Sequence, residues 1–398
     1  MKIFIVICGI VIIGCLVAEK KSAARHRFAI KHVIHVNGTR GKSAVTRLIA
    51  AGLAECGIKT YCKTTGTLPM TIDTKGNETE IRRLGRANIL EQIKILKKAY
   101  KDGAKVLVLE CMAVDPELQY VCEHKILHSD IGIITNARVD HVAEMGDTII
   151  EVTDALSNTI PDNGMVLTSD EIAIERISEN AKKFNSMALL ANEASFADGE
   201  LSFLDFNNES FLFPENILLA LKACELVGAD IKTALLGMRK VKADPYEAQD
   251  YDINGVTFVN GMSANDPAST KMVYERFSHK KTKDGKLVIV LNTRPDRGYR
   301  TKLMIDYIID QKPDEVWLLG SGKVVAARKL KNFVKVKTFN KASELPLGGA
   351  PKGSIIYAIG NIASEGFELI DRVKLEMIDR ENSEMIDRVE EETKCTVK

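Results

Sequence analysis

The chain has 398 residues, room for two or three domains, and its 45% hydrophobic and 27% charged residues fit a folded protein with a sizeable core. Fifty-five basic and 54 acidic residues leave a net charge of +1, which excludes a global field for nucleic acid and makes any anion site local. The cysteines (Cys8, Cys15, Cys56, Cys62, Cys111, Cys122, Cys224 and Cys395) show no zinc or disulfide spacing, so a reducing compartment is expected for the body.

The first element is an apolar run, Ile3 to Ala18, close to the minimum length for a bilayer span. The bases Lys20, Lys21, Arg25, Arg27 and Lys31 follow it. The positive-inside tendency then predicts a single N-terminal anchor at residues 1–19, in the cell membrane, with the body of the protein cytoplasmic. A cleaved signal and a lipoprotein box ending at Cys15 are the competing readings. From Phe28 onward strands and helices alternate: "HVIHVNG", a helix from Ala44 to Glu55, "IKTYCKT", an amphipathic helix from Arg86 to Tyr100, then strands at Ala104–Met112, Asp130–Asn136 and "NGMVLTS". Such alternation predicts an α/β fold with a mostly parallel sheet. A helix from Pro214 to Asp230 precedes "KADPYEAQ", read as the hinge between a domain at 28–242 and a second α/β domain at 243–366. The second carries "GVTFVNG", a helix from Pro267 to Phe277, "KLVIVLN", "EVWLLG" and "GSIIYAIGN". Residues 367–398 contain "ELIDR" and two copies of "EMIDR" at a period of eight, which reads as a charged helical tail.

Chemistry concentrates around "VIHVNGTRGKSAVTRLI", Val33 to Ile49. A strand, a Gly-rich turn and a helix in that order place successive main-chain N–H groups around an anion. Lys42 adds a charge for the outer phosphates, and the Ser43 hydroxyl suits magnesium. The turn Asn37, Gly38, Thr39, Arg40, Gly41, Lys42 and Ser43 is therefore the candidate nucleotide site, although Val36 stands where the longer phosphate-loop pattern has a glycine. A magnesium nucleotide also needs carboxylates. Glu110 ends the apolar strand "KVLVLE", where parallel sheets place ligands, and "ITNARVDHVAEMG" sets Asn136, Asp140 and His141 just past another strand. A solvated strand end and a capped turn are the plainer readings of those two segments.

These motifs, with "GDT" soon after, resemble the Mur ligase superfamily, which includes the peptidoglycan amino-acid ligases and folylpolyglutamate synthase. "KTTGTLP", "VLECMAVDPELQ" and "NGMSANDPAST" extend the resemblance, over residues 28 to 365, to the ligase subunits of bacterial poly-γ-glutamate synthases. The resemblance implies a central Mur-ligase-like ATPase domain with a smaller Rossmann-like C-terminal domain closing over the nucleotide. It implies an ATP-dependent amide ligase that joins glutamates through an acyl phosphate, releasing ADP and phosphate. ATP and Mg2+ are the implied cofactors, with Mn2+ as an alternative metal. L- or D-glutamate, the growing polymer, the membrane, a small multi-span subunit and an extracellular accessory subunit are the implied partners, and nucleic acid is not. By similarity Lys42, Glu110 and His141 are catalytic, Ser43 and Glu110 hold one metal, His141 a second, and Asn136 orders the nucleotide or metal shell. In the second domain Asn265 lies in a loop that relatives place near ATP, while Gly261 and Asp266 depart from their pattern there. Asp296 and Arg297 are expected on nucleotide, and Arg294 and Arg300 on glutamate carboxylates.

One departure matters. Relatives carry a metal-binding modified lysine where this chain has Leu156 or Ser157, and Asp154 is the candidate substitute. Cys122, His124 and His128 lack the further ligand a zinc site needs, and Cys111 lacks a base for nucleophilic catalysis. A folylpolyglutamate synthase-like ligase and a non-catalytic ATP-binding subunit of an export complex are the alternative functions.

Overall fold

The computed structural model describes residues 2–66, 68–83, 85, 87–197, 201, 213–241, 246, 248–264, 266–295 and 298–377, except for the side chains of residues 2, 3, 5, 6 and 8. The chain divides into two compact units, Met1–Lys242 and Ala243–Lys398.

In the first unit, helix α1 (Lys2–Ala29) leads into β1 (His32–Asn37), α2 (Lys42–Glu55), β2 (Thr60–Lys63), β3 (Met70–Ile72), β4 (Glu78–Glu80), α3 (Glu91–Lys101) and β5 (Val106–Glu110). Next come α4 (Pro116–Val121), a π-helical turn at Cys122–Leu127, β6 (Ile131–Ile134), α5 (Val142–Met145), α6 (Ile149–Leu156), β7 (Met165–Thr168), α7 (Ile174–Lys183), β8 (Met187–Leu190), α8 (Pro214–Leu226) and α9 (Ile231–Arg239). The strands form one sheet in the order β4-β3-β2-β5-β1-β6-β7-β8, parallel from β2 to β8 with an antiparallel edge at β3 and β4. Apolar cores cover its faces, one of them formed where Ile134 and Val166 meet Val152 and Ile177. Ile34 and Val36 of β1 join Val45, Ile49 and Leu53 of α2 and Ile217 and Leu221 of α8. Val33, one residue out of phase, joins Leu96, Leu107 and Leu127 on the other face. Each such side chain, fully buried, contributes roughly 1.5–3 kcal/mol.

That second face also holds charge. His35 Nδ1 lies 2.8 Å from Glu123 Oε2 with both side chains fully buried. Burial alone would lower the His35 pKa, but Cys111, Cys122 and Glu123 raise it well above its ordinary value. The pair ties β1 to the π-helical turn. Arg27, at the end of α1, donates to the carbonyls of Leu127 and His128 and to Asp130, so α1 is docked at its C-terminal end.

Several boundaries differ from the sequence reading. α3 begins at Glu91, not Arg86, because Asn88 Oδ1 accepts from Leu90 N in a turn before it. The expected helix from Pro214 to Asp230 is α8, which stops at Leu226 just before Gly228 (φ 85°); Asp230 instead caps the next helix, α9, through Thr233 N. Among the described residues no helix is long and apolar enough to cross a membrane, so the expected N-terminal span is not supported by the fold.

The second unit contains β9 (Gln249–Ile253), β10 (Val256–Asn260), α10 (Pro267–Ser278), β11 (Leu287–Thr293), α11 (Gly298–Gln311), β12 (Glu315–Gly320), α12 (Lys323–Leu330), β13 (Lys335–Thr338) and β14 (Ile355–Gly360). Its sheet runs β13-β12-β11-β14-β10-β9, parallel except for the β9–β10 hairpin. Residues 365–377 are helical, while most of the repeat tail lies outside the described residues.

Candidate functional site

Helix α2 starts without a side-chain cap. Gly41, in the left-handed region (φ 78°), occupies the cap position and leaves the first N–H groups of α2 open at the end of β1. Two close approaches fix this turn. A Cβ on Gly38 (φ 131°) would lie 2.0 Å from Thr135 Oγ1, and one on Gly41 would lie 2.8 Å from Asn216 Oδ1. Lys42 Nζ donates to Gly38 O at 2.7 Å, so its ammonium stays over the turn. Burial lowers the Lys42 pKa, with Glu110 raising it, Arg40 lowering it and Asp140 raising it.

The segment after β6 is wired to the same turn. Asn136 Oδ1 accepts from Thr39 Oγ1 at 2.7 Å and from Arg40 N at 3.1 Å, while its Nδ2 donates to Arg40 O at 3.2 Å. Arg40 NH1 reaches Asp140 Oδ2 at 2.8 Å. His141 follows with a positive φ (50°), its Nε2 3.9 Å from Asp140 Oδ2. Asn136, Asp140 and His141 are thus joined to the turn through Thr39 and Arg40.

Glu110 is 3% exposed, and its Oε2 accepts from Ser43 Oγ at 2.8 Å and from Thr65 N at 2.6 Å. A hydroxyl and a carboxylate oxygen that converge beside an anion site are the hard donors a cation such as Mg2+ takes. Among the described residues no group of three or more His, Cys, Asp or Glu side chains gathers to hold a metal. Ser43 and Glu110 therefore fit a cation that draws its other ligands from phosphate and water.

Other predicted residues are placed elsewhere. The Asn37 side chain, 2% exposed, turns to the opposite face and donates to Gln119 Oε1 at 2.8 Å and Thr159 Oγ1 at 3.1 Å, so it is not available to nucleotide. Asp154 is not a metal ligand here: Arg176 holds both its oxygens at 2.7 Å and Asn180 Nδ2 donates to Oδ1 at 2.7 Å. In the second unit Arg294 follows β11 and Arg300 sits in the first turn of α11. Asp266 caps α10, accepting from Ser269 N and Oγ. Asn265, Asp296 and Arg297 lie outside the described residues.

Two contributors were missed in the sequence. Asn216, in the first turn of α8, backs Gly41, and the segment Thr65–Gly66 covers Ser43: a Cβ on Gly66 would lie 2.7 Å from Ser43 Oγ. "KTTGT" was visible as a motif, but only the fold shows what it touches.

Comparison with known proteins places residues 36–242 in the Mur ligase middle domain and residues 246–376 in the poly-gamma-glutamate synthase CapB C-terminal domain. The chain is 31% identical to the PGA synthase CapB of Bacillus subtilis (strain 168), covering 94% of this chain and 98% of that protein. It is also 31% identical to the capsule biosynthesis protein CapB of Bacillus anthracis, covering 94% of this chain and 83% of that one. Among solved structures, a bifunctional folylpolyglutamate synthase/dihydrofolate synthase with Mn, AMPPNP and L-glutamate bound superposes with a TM-score of 0.67 at 15% identity, over 88% of this chain and 92% of that one. At that identity the likeness shows the fold alone.

Proposed function

Since the chain belongs to the poly-γ-glutamate synthase CapB family of Mur-type ligases, we propose a specific course for the reaction it carries out as an ATP-dependent glutamate ligase. The observation that carries it is the convergence of Ser43 and Glu110 beside the Gly38–Lys42 turn.

The turn and the open N-terminus of α2 bind the ATP phosphates, and Lys42 shifts its ammonium from Gly38 O towards the γ-phosphate. Ser43 and Glu110 hold a divalent cation, Mg2+ or Mn2+, with His141 as ligand to a second; bound there it offsets negative charge on the phosphates. A side-chain carboxylate oxygen of one glutamate attacks the γ-phosphorus, the bond to the β-phosphate oxygen breaks, and ADP leaves. The amino group of a second glutamate then attacks the acyl carbon. Phosphate departs with the bridging oxygen, the nitrogen loses a proton, and a γ-linked amide remains. The attacking carboxylate and the nucleotide repel each other, so the charge supplied by Lys42 and the α2 N-terminus is what the first step requires. Asn136 keeps the turn in its binding shape. Arg294 and Arg300 are assigned to glutamate carboxylates, a role that suits paired guanidinium donors.

The body is assigned to the cytoplasmic face of the cell membrane, attached through α1. In support, Phe4, Ile7, Ile10, Val11, Ile12, Ile13, Leu16 and Val17 are all exposed on that helix. Lys20, Lys21 and Arg25 follow, and Lys97 and Lys101 of α3 lie close enough to lower the pKa of His26 alongside its burial. A multi-span membrane subunit and an extracellular accessory subunit complete the proposed assembly. The test is a membrane assay with ATP, Mg2+ and labelled glutamate. γ-Linked product with ADP is expected, lost in Glu110→Ala while ATP still binds; AMP and pyrophosphate would overturn the reading.

A further inference from the structure

Lys63 ends β2 with its side chain fully buried. An ammonium taken out of water must be matched by acceptors. It meets Glu91 Oε1 at 2.9 Å, Gln92 Oε1 at 3.3 Å and Met112 Sδ at 3.5 Å. Burial lowers the Lys63 pKa, and Glu91 and then Glu110 raise it again. Glu91 is held in turn by Arg83, whose Nε and NH2 donate to its two oxygens at 2.8 and 3.1 Å.

Two paths lead from this lysine to Glu110. Through its side chain, Gln92 accepts from Lys63 and donates its Nε2 to the Glu110 carbonyl at 3.4 Å. Through the main chain, Thr65 lies two residues beyond Lys63 and donates its N–H to Glu110 Oε2 at 2.6 Å. The next residue, Gly66, rests against Ser43 Oγ. Glu110 is therefore held at its carbonyl and at its carboxylate by groups that depend on where Lys63 sits. Filling the same space with an apolar side chain would avoid desolvating a charge. A buried ammonium here makes sense if geometry, and not packing, is what it supplies.

We infer that Lys63 is a positioning residue that, with Glu91 and Gln92, aims the Glu110 carboxylate at Ser43 so that both oxygens face the nucleotide's divalent cation. Fully buried, Lys63 does not itself reach the phosphates, which separates its role from that of Lys42. The inference rests on the nucleotide and cation site proposed above.

The test uses the full chain and a fluorescent ATP analogue titrated at increasing Mg2+. For Lys63→Met the half-saturating Mg2+ concentration is expected to rise about tenfold, while analogue affinity at saturating Mg2+ stays within about threefold of wild type; an effect of only tenfold in a metal-dependent term corresponds to about 1.4 kcal/mol. Loss of a merely structural lysine would weaken Mg2+ dependence and analogue affinity together or leave both unchanged. Glu91→Gln, which keeps the lysine and its packing, should shift the Mg2+ midpoint in the same direction, and the double variant should shift it less than the two singles combined. If Lys63→Met does not fold, Glu91→Gln decides the matter. A folded variant with an unchanged Mg2+ midpoint overturns the inference alone. Wild-type protein that binds the analogue without regard to Mg2+ overturns the cation site and the inference with it.

Discussion

Replacing Asn136 with alanine should weaken nucleotide binding about 30-fold without unfolding the chain. The carboxamide makes three hydrogen bonds to the Gly38–Ser43 turn: from Thr39 Oγ1 at 2.7 Å, from Arg40 N at 3.1 Å and to Arg40 O at 3.2 Å. Neutral hydrogen bonds contribute about 1 kcal/mol net each. The site is half-buried, so water recovers part of that, leaving about 2 kcal/mol, or about 30-fold in affinity at 1.4 kcal/mol per factor of ten. The turn keeps other ties, since Thr39 N still donates to the carbonyl of residue 136 at 3.1 Å and Arg138 N to Thr39 Oγ1 at 3.0 Å. The loss should therefore fall on binding and not on folding. Asn136→Asp sharpens the test: it keeps both acceptor contacts but adds a negative charge beside the phosphates, so it should bind nucleotide more weakly than the alanine variant. The assay is equilibrium titration with a fluorescent ATP analogue at fixed Mg2+, alongside thermal melting. Wild-type affinity in either variant would mean that the Asn136 carboxamide does not hold the turn in its binding shape.

Gly38→Ala should abolish nucleotide binding and lower the melting temperature, because the new Cβ would sit 2.0 Å from Thr135 Oγ1 at a φ of 131°. Gly57→Ala, with a φ of 73° but open space around it, is the control for backbone conformation alone and should cost about 1 kcal/mol with nucleotide binding intact. Burial alone would raise the Glu91 carboxyl, but Arg83 and Lys63 pull it down to about 2. A folded pKa below the ordinary 4.5 means that this carboxylate's stabilisation is complete above about 4.5 and is lost as pH falls towards about 2. Denaturant melts across that window should show a flatter loss of stability for Glu91→Gln than for wild type, and parallel slopes would count against the Arg83–Glu91–Lys63 chain.

What could be read from the sequence was what local spacing determines. Gly38, Gly41, Lys42 and Ser43 lie in a turn only a few residues long, so their pattern carries its own geometry. Glu110 was readable because it ends an apolar strand of a parallel sheet. Asn37 was misjudged, although period-two alternation already sets it on the face of Val33 and His35, away from α2. Asp154 was not readable, since Arg176 and Asn180 claim it from α7, four residues apart on one helix face, and only the packing of α6 on α7 brings them together. Lys63 is the extreme case. A lysine at a strand end reads as solvated, and its burial depends on Glu91 and Gln92 arriving from α3.

Transfer of the terminal phosphoryl group of ATP to a glutamate carboxylate can be followed by supplying glutamate with both γ-carboxylate oxygens replaced by 18O and analysing the products by mass spectrometry. One labelled oxygen should appear in the released phosphate and one should remain in the γ-amide, with ADP unlabelled. Label in AMP, or phosphate without label, would contradict the account.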